Sequence, residues 1–219
     1  SSWMNSLVIS SGIFNSNGNN ITTGNFNVTG SSTVNLFTSN LKIRRSGNIS
    51  SSNFNSGTST IYLMANSGNR GFSSSANCYN IVNESATGYF DISGNGSYNK
   101  ITQRGTEKLV LSGITSDSII VNPGNILQLS GTVTVNDYLE MSGSCSLLSN
   151  LKGTGTLSSA TGNIVINYTN IENITATGGA NFIANNSYDL GGNSGWTINS
   201  SSSKDYYWVG DGGDWNDGT

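Results

Sequence analysis

Short apolar runs alternate with small polar residues along most of the chain. Runs of three or four strand-forming residues are separated by Gly, Asn, Ser and Thr, and most runs in the middle of the chain start six to ten residues apart. This spacing predicts short β-strands joined by tight turns. The runs are Leu7–Ile9, Ile61–Met64, Tyr79–Val82, Leu109–Leu111, Ile119–Val121, Ile126–Leu129, Thr132–Val135, Tyr138–Met141 and Ile164–Ile166.

The opening segment repeats one pattern twice. An Asn/Gly-rich corner precedes a short apolar run in residues 15–22 and again in residues 23–30, which predicts two short strands. No window shows apolar residues at helical spacing, and Gly, Asn, Ser and Thr are poor to mediocre helix formers. We therefore expect almost no α-helix.

Composition decides between two all-β architectures, a hairpin-based sandwich or barrel and a right-handed parallel β-solenoid. Ser, Asn, Gly and Thr supply 38, 33, 28 and 21 of the 219 residues. Stacked coils can use Asn, Ser and Thr as ladders along the axis and place Gly and Asn at left-handed corners. We predict a solenoid over residues 5–198 with about nine coils of roughly 20 to 25 residues, forming a rod of roughly 40 Å.

Charge and hydropathy exclude several classes of protein. The chain has a formal net charge of −3, and Lys42, Arg44 and Arg45 form its one tight basic cluster, so we expect no nucleic-acid partner. No apolar run is long enough to cross a bilayer, so we expect no membrane insertion by this segment. Regular apolar β-formers and only 10% charged residues argue against disorder.

Two cysteines, Cys78 and Cys145, are too few for a disulfide framework. A single bridge between them stays open, although two buried free thiols are the favoured interpretation.

The two ends of the chain carry three of the four tryptophans. The chain closes on the aromatic residues Tyr206, Tyr207, Trp208 and Trp215, after a Ser-rich stretch from residue 199 that is typical of a linker, and it opens on Trp3. Joined end to start, these pieces read Tyr-Tyr-Trp-Val-Gly-Asp-Gly-Gly-Asp-Trp-Asn-Asp-Gly-Thr-Ser-Ser-Trp.

This joined sequence resembles a motif, Tyr-Tyr-Trp-Val-Gly-Gly-x-Gly-x-Trp-x-Asp-x-x-x-Trp, that recurs in tandem through very large cell-surface proteins of Bacteroidota-type bacteria, including gliding-motility-type adhesins. Residues 176–184 and 191–198 are similar to the "ATGGA-x-F … GGN-x-GW" ending of repeats in the same proteins. The resemblance implies a secreted, extracellular adhesin or surface filament and transfers no catalytic residue.

The split motif also predicts how copies connect. We interpret residues 1–4 and 199–219 as parts of an aromatic junction between neighbouring units, with Trp3, Tyr206, Tyr207, Trp208 and Trp215 as its contact residues. Aromatic side chains bury large areas with defined packing geometry, so such a junction could cover a solenoid end and hold the next copy. A lone cap without tandem copies is the alternative.

One oxygen-rich cluster could bind a metal. Asp211, Asp214, Asn216 and Asp217 lie within seven residues beside glycines, an arrangement that Ca²⁺ accepts, although the spacing is not that of an EF-hand. The alternative is that these side chains cap tight turns. No other cofactor is predicted.

An enzyme on this scaffold would be a polysaccharide lyase or glycosidase, because paired carboxylates could serve as acid and base. The chain has no His, and its carboxylates are scattered along the sequence without an obvious pair, so we predict a non-enzymatic protein. Exposed tyrosines such as Tyr89, Tyr98 and Tyr168 could stack on a surface polysaccharide. Thr-x-Thr pairs occur four times, but their irregular spacing argues against a flat threonine array such as one that binds ice.

The sequence therefore predicts a structural or adhesive repeat unit of an extracellular surface filament, whose partners are neighbouring copies of itself. A carbohydrate-binding or polysaccharide-cleaving β-helix is the alternative.

Overall fold

The computed structural model describes residues 4–106 and 108–201, and in this part of the chain every regular element is a β-strand. The strands are short because each crosses only one or two faces of a coil before the chain turns. They are β1 Met4–Ile9, β2 Ile13–Asn15, β3 Ile21–Val28, β4 Thr33–Asn35, β5 Asn40–Ile43, β6 Gly47–Ile49, β7 Phe54–Asn55, β8 Thr60–Leu63, β9 Arg70–Ser74, β10 Asn77–Asn83, β11 Phe90–Ser93, β12 Ser97–Gln103, β13 Leu109–Ser112, β14 Thr115–Val121, β15 Ile126–Ser130, β16 Thr132–Met141, β17 Ser149–Gly153, β18 Thr156–Ser159, β19 Asn163–Asn167, β20 Thr169–Glu172, β21 Thr175–Gly178, β22 Asn181–Asn185, β23 Tyr188–Asp189 and β24 Trp196–Asn199.

The chain winds as a parallel β-solenoid of about nine turns. Strands pair in parallel with strands of the preceding and following coil, as β8 does with β5 and β10. One buried column runs through Leu41, Ile61, Ile81, Ile101, Ile119 and Leu139, whose members are 20, 20, 20, 18 and 20 residues apart. The predicted solenoid and its coil length are confirmed.

The core consists of such columns of apolar side chains, stacked along the axis at the inter-strand spacing of about 4.8 Å. A second column contains Phe26, Gly47, Phe72, Ile92, Leu111 and Leu129. Gly47 has no side chain because its neighbours fill the space: a Cβ there would lie 2.5 Å from Cδ2 of Phe72 and 3.2 Å from Cδ1 of Ile43.

A third column is interrupted by buried amides, which the apolar pattern did not predict. It runs through Ile43, Leu63, Asn83, Gln103 and Val121, and both amides are fully buried. Asn83 Oδ1 accepts hydrogen bonds from the Ser85 hydroxyl (2.7 Å) and amide (3.2 Å), and the Ser85 Oγ accepts one from the Ala65 amide at 3.1 Å. This network fixes one corner of the fourth and fifth coils.

Asn and Gly occupy the ladder and left-handed corner positions that the composition predicted. Asn pairs in adjacent coils donate amide to carbonyl, as Asn35 does to Asn15 at 2.7 Å and Asn199 does to Asn185 at 2.8 Å. Left-handed backbone conformations occur at 16 described glycines and at Asn17, Asn95, Asn173 and Asn186. Phe37 and Tyr168 also adopt them, which their residue type did not predict.

Two predicted strand breaks are wrong. Residues 132–141 form one strand, because a register irregularity opposite β14 absorbs the Asn136–Asp137 pair without a turn. Likewise, residues 21–28 form one strand that pairs first with β5 and then with β6. Residues 23–25, where an Asn/Gly corner was expected, lie inside this strand, and both Thr23 and Gly24 are buried.

Candidate functional site

The two ends of the described rod leave core columns uncovered. β1 pairs only with β3, and β24 pairs only with β22, so among the described residues each terminal strand has one unpaired edge. Side chains that continue the core columns are fully buried in the middle coils but become accessible in the first and last ones. Such edges are where another sheet can add.

At the N-terminal end, Met4 lies in register with Thr23 and through it with Ile43, yet it is 47% exposed. The side chains of Leu7, Phe14 and Ile21 pack against the core but are themselves only partly buried. The first coil therefore presents an apolar surface along the axis of the rod.

At the C-terminal end, Trp196 and Ile198 close two core columns and remain partly exposed. Trp196 packs edge-on against Phe182, with ring centroids 5.4 Å apart. Ile198 follows Ala184 in the column that also contains Ile166. The bridge between Ser142 and Asn167 places Met141 in register with Ile166, so the same column continues from Ile166 through Met141 towards the N-terminal end, where it reaches Met4. An apolar side chain therefore ends this column at each end of the rod.

The predicted junction residues Trp3, Tyr206, Tyr207, Trp208 and Trp215 lie outside the described residues. The same is true of the predicted calcium ligands Asp211, Asp214, Asn216 and Asp217. Residues 4–106 and 108–201 contain no group of three or more His, Cys, Asp or Glu side chains able to hold a metal ion. The junction and the calcium site both stay predictions.

Charge is distributed unevenly along the axis. Residues 1–110 carry seven basic and three acidic side chains, a net charge of +4, whereas residues 111–219 carry two basic and nine acidic ones, a net charge of −7. Because the solenoid winds along its axis in chain order, its described residues form a half with a net charge of +5 up to residue 110, from seven basic and two acidic side chains. Residues 111–201 form a half with a net charge of −4, from one basic and five acidic side chains. The pattern was not apparent from the overall net charge.

One corner of the rod gathers arginines that are distant in sequence. Arg44 and Arg45 follow β5, and the next coil brings Arg70 to the same pocket, which is lined also by Asn66 and Ser67. The sequence indicated Arg44 and Arg45 but not Arg70, because the 24 residues between Arg45 and Arg70 make up about one coil. We call this group of five residues the basic corner.

A shallow depression of about 380 Å³ crosses coils four to seven, with Tyr79, Asn99, Asp117 and Asn136 on its surface. Of the tyrosines singled out from the sequence, Tyr98 lines this depression but is buried, and the Lys108 ammonium lies 4.2 Å from the Tyr89 ring centroid. Tyr79, 37% exposed, is the accessible aromatic ring that borders the depression.

The carboxylates are less scattered in space than in sequence. The irregularity between β14 and β16 places both Asn136 and Asp137 opposite Asp117, and the Asn136 amide donates to Asp117 at 2.8 Å. Glu84 pairs with Arg104 at 3.6 Å. Burial raises the pKa of Asp91, and the Lys108 ammonium partly offsets this rise. A general acid needs a carboxyl held in a dry pocket, whereas Asp137 is exposed.

Threonines that are irregularly spaced in sequence stack in register. Thr132, Thr156 and Thr175 form one outward row, and Thr134, Ser158 and Thr177 form the next. Their sequence spacing varies because the loops between coils differ in length while the strand register does not. Two of the threonine pairs, Thr132/Thr134 and Thr175/Thr177, thus share a small hydroxyl-bearing face that their sequence spacing did not predict.

The cysteines are free, and only one of them is buried. The exposed position of Cys145 corrects the expectation of two buried thiols. Burial raises the pKa of the Cys78 thiol to about 12, so this group stays protonated at neutral pH.

We expect iodoacetamide to label one cysteine, Cys145, in the native protein and to label Cys78 only after unfolding. The rate of labelling should be measured by mass spectrometry at pH 8 with and without denaturant. Native labelling of both thiols at similar rates, or a mass showing a disulfide, would contradict this arrangement.

In the part of the chain that the structure describes, no helix is long and apolar enough to cross a membrane. No protein-family model, no curated protein and no solved structure matches this chain.

Proposed function

We propose that this chain is a structural repeat unit of an extracellular surface filament or adhesin that stacks head-to-tail with neighbouring copies. The observation that carries the proposal is the state of the core columns, which are fully buried in the middle coils and partly exposed at both described ends. A column that ends on an accessible apolar side chain is stabilised by another coil placed over it.

The two ends are suited to each other. In a parallel solenoid, the edge of the first coil and the edge of the last coil offer complementary hydrogen-bonding groups to a copy in the same orientation. Ile198 and Met4 are the apolar ends of one buried column, so stacking a copy on the C-terminal end would continue this column from Ile198 to the neighbour's first coil.

The axial charge distribution favours the head-to-tail orientation. Counting described residues, copies placed head-to-tail bring a half with a net charge of −4 towards a half with a net charge of +5, whereas head-to-head and tail-to-tail pairs bring like charges together. The first 41 residues are uncharged, so the attracting charges of two stacked copies are separated by roughly a Debye length, about 8 Å at physiological salt. This electrostatic attraction would therefore orient the approaching copies more than it would strengthen the contact between them.

The motif divided between the two ends supports the same assignment. Its resemblance to repeats of very large cell-surface proteins also gives the extracellular location that we propose for this unit.

Stacking predicts concentration-dependent self-association that a charge at the end of the rod should weaken. We expect Met4→Lys to lower the association constant about tenfold or more, because the contact would bury an unpaired ammonium. The matched control is Val165→Lys, since Val165 is similarly exposed (41%) but lies on the flank of a late coil. Sedimentation velocity over a range of concentrations measures the effect.

Two outcomes would contradict stacking. The first is a wild-type protein that remains monomeric at every concentration, and the second is an equal loss of association in Val165→Lys. Circular dichroism should first show that both variants keep their β-structure.

A second candidate function, carbohydrate binding, is favoured by the depression beside Tyr79. An aromatic ring next to the amide and carboxylate groups of Asn99, Asp117 and Asn136 offers a sugar both an apolar platform and hydrogen-bonding partners.

A further inference from the structure

One face of the solenoid carries a straight row of small polar side chains that crosses six consecutive coils. The members of the row pair in register from β10 to β21, and each is exposed or half-buried. They are Asn77, Ser97, Thr115, Thr134, Ser158 and Thr177. We call them the hydroxyl row. At the inter-strand spacing of about 4.8 Å, the row is roughly 24 Å long.

The hydroxyl row connects surfaces that lie apart in the sequence. Its first three members line the depression of about 380 Å³ beside Tyr79. Thr115 and Thr134 line a second depression, of about 360 Å³, so the two depressions share Thr115. The last three members run beside the row that begins at Thr132. The depressions and the hydroxyl-bearing face are therefore parts of one elongated surface.

This surface has no positive charge. Its strand segments carry two charged residues, Asp117 and Asp137; the segments are 77–79, 97–99, 115–117, 132–137, 156–159 and 175–178. The nearest basic residue in sequence is Lys100, but the burial pattern of β12 shifts at Asn99–Lys100, which places Lys100 on the adjoining face. An acidic ligand would therefore meet two carboxylates and no cation, which disfavours its binding.

The polar groups of the hydroxyl row are available to a ligand. No hydrogen bond within the described residues engages any of its six side chains. A Ser or Thr hydroxyl both donates and accepts hydrogen bonds, as a sugar hydroxyl does. Because paired strands already fix the backbone beneath these side chains, little further ordering is needed when a ligand binds.

We infer that this surface binds an extended, uncharged polysaccharide that lies along the axis of the rod. Each coil offers one group of the hydroxyl row, at a spacing close to the length of one sugar residue in an extended β-linked chain. The Tyr79 ring provides an apolar platform at one end of the row. A coiled glycan could not follow a straight row. The inference rests on the second candidate function, carbohydrate binding, and names the class of glycan.

The test is a calorimetric titration of the full chain with cellohexaose, an extended neutral glucan. Two comparison ligands have the same number of sugar residues: maltohexaose is neutral but coiled, and hexagalacturonate is acidic. We expect saturable binding of cellohexaose and about tenfold weaker binding of the other two, because neither matches both the shape and the charge of the surface.

Two variants examine the contacts. Thr115→Val removes one hydroxyl of the row at nearly constant shape and should weaken cellohexaose binding about threefold to tenfold, the usual effect of losing a hydrogen bond. Thr102→Val is its matched control, since Thr102 is also half-buried but lies on the adjoining face. Tyr79→Ala should weaken binding about tenfold because the platform is lost. Tyr188→Ala is the control, because Tyr188 is 45% exposed on a different face.

The outcomes separate the class of glycan from carbohydrate binding itself. Equal binding of cellohexaose and maltohexaose, or tighter binding of hexagalacturonate, would overturn the inference while carbohydrate binding survived. Absence of saturable binding by all three ligands would overturn both. An equal loss in Thr115→Val and Thr102→Val would show that the hydroxyl row is not the contact surface. Self-association of Thr115→Val in sedimentation velocity should equal that of the wild type, because the row lies on the flank.

Discussion

Truncation of Phe72 to alanine is expected to lower the free energy of unfolding by about 3–5 kcal/mol, the range for deleting a buried aromatic side chain. Phe72 is fully buried, and its neighbour towards the N-terminus in the column is Gly47. Because Gly47 has no side chain to move into the vacated space, the cavity would persist. The cost should therefore lie towards the upper part of this range.

Urea denaturation followed by circular dichroism measures the Phe72→Ala effect. Tyr138→Ala is the control, because it removes an aromatic side chain from a strand of the same solenoid that is 42% exposed, and it should cost less than about 1 kcal/mol. A loss of similar size in both variants would show that Phe72 is not enclosed as described.

Replacement of Gly178 by alanine is expected to cost roughly 3 kcal/mol or more, because it combines two penalties. Its φ of +106° is unfavourable for a residue with a side chain. In addition, a Cβ would lie 2.0 Å from the carbonyl oxygen of Ser159, its partner in the preceding coil. Only a shift of one coil against the other can relieve that contact.

Gly162→Ala separates these two penalties. Gly162 has a φ of +85°, but a Cβ there would meet no atom within 4 Å, so this variant should show the backbone cost alone, about 1–2 kcal/mol. Hydrogen exchange should show faster opening of β18 and β21 in Gly178→Ala but not in Gly162→Ala. Equal destabilisation of the two variants would contradict close coil stacking at Gly178.

Pattern and composition predicted the architecture for a physical reason. A residue such as Ile61 recurs about every 20 positions as Ile81 and Ile101 because each coil must place one apolar side chain at the same point of the core. Asn15 and Asn35 recur similarly because stacked amides bond to each other. These requirements repeat with every coil, so they leave a periodic trace that can be read without coordinates.

No periodic pattern in the sequence marks the basic corner. Arg70 joins Arg44 and Arg45 only because one coil separates them, and the length of that coil includes a loop whose size no local pattern fixes. The threonine rows and the approach of Asp137 to Asp117 were missed for the same reason, since loop length and a strand irregularity set their register.

The amino-acid sequence by itself determined that this chain forms stacked parallel coils, because burial and ladder formation impose the same demands on every turn. Tertiary structure alone decided which charged, aromatic and hydroxyl side chains became neighbours along the axis. Which side chains become neighbours depends on the register between coils, and this register is set by many loops of unequal length. It also showed that the core columns stay accessible at both described ends, the observation on which head-to-tail stacking rests.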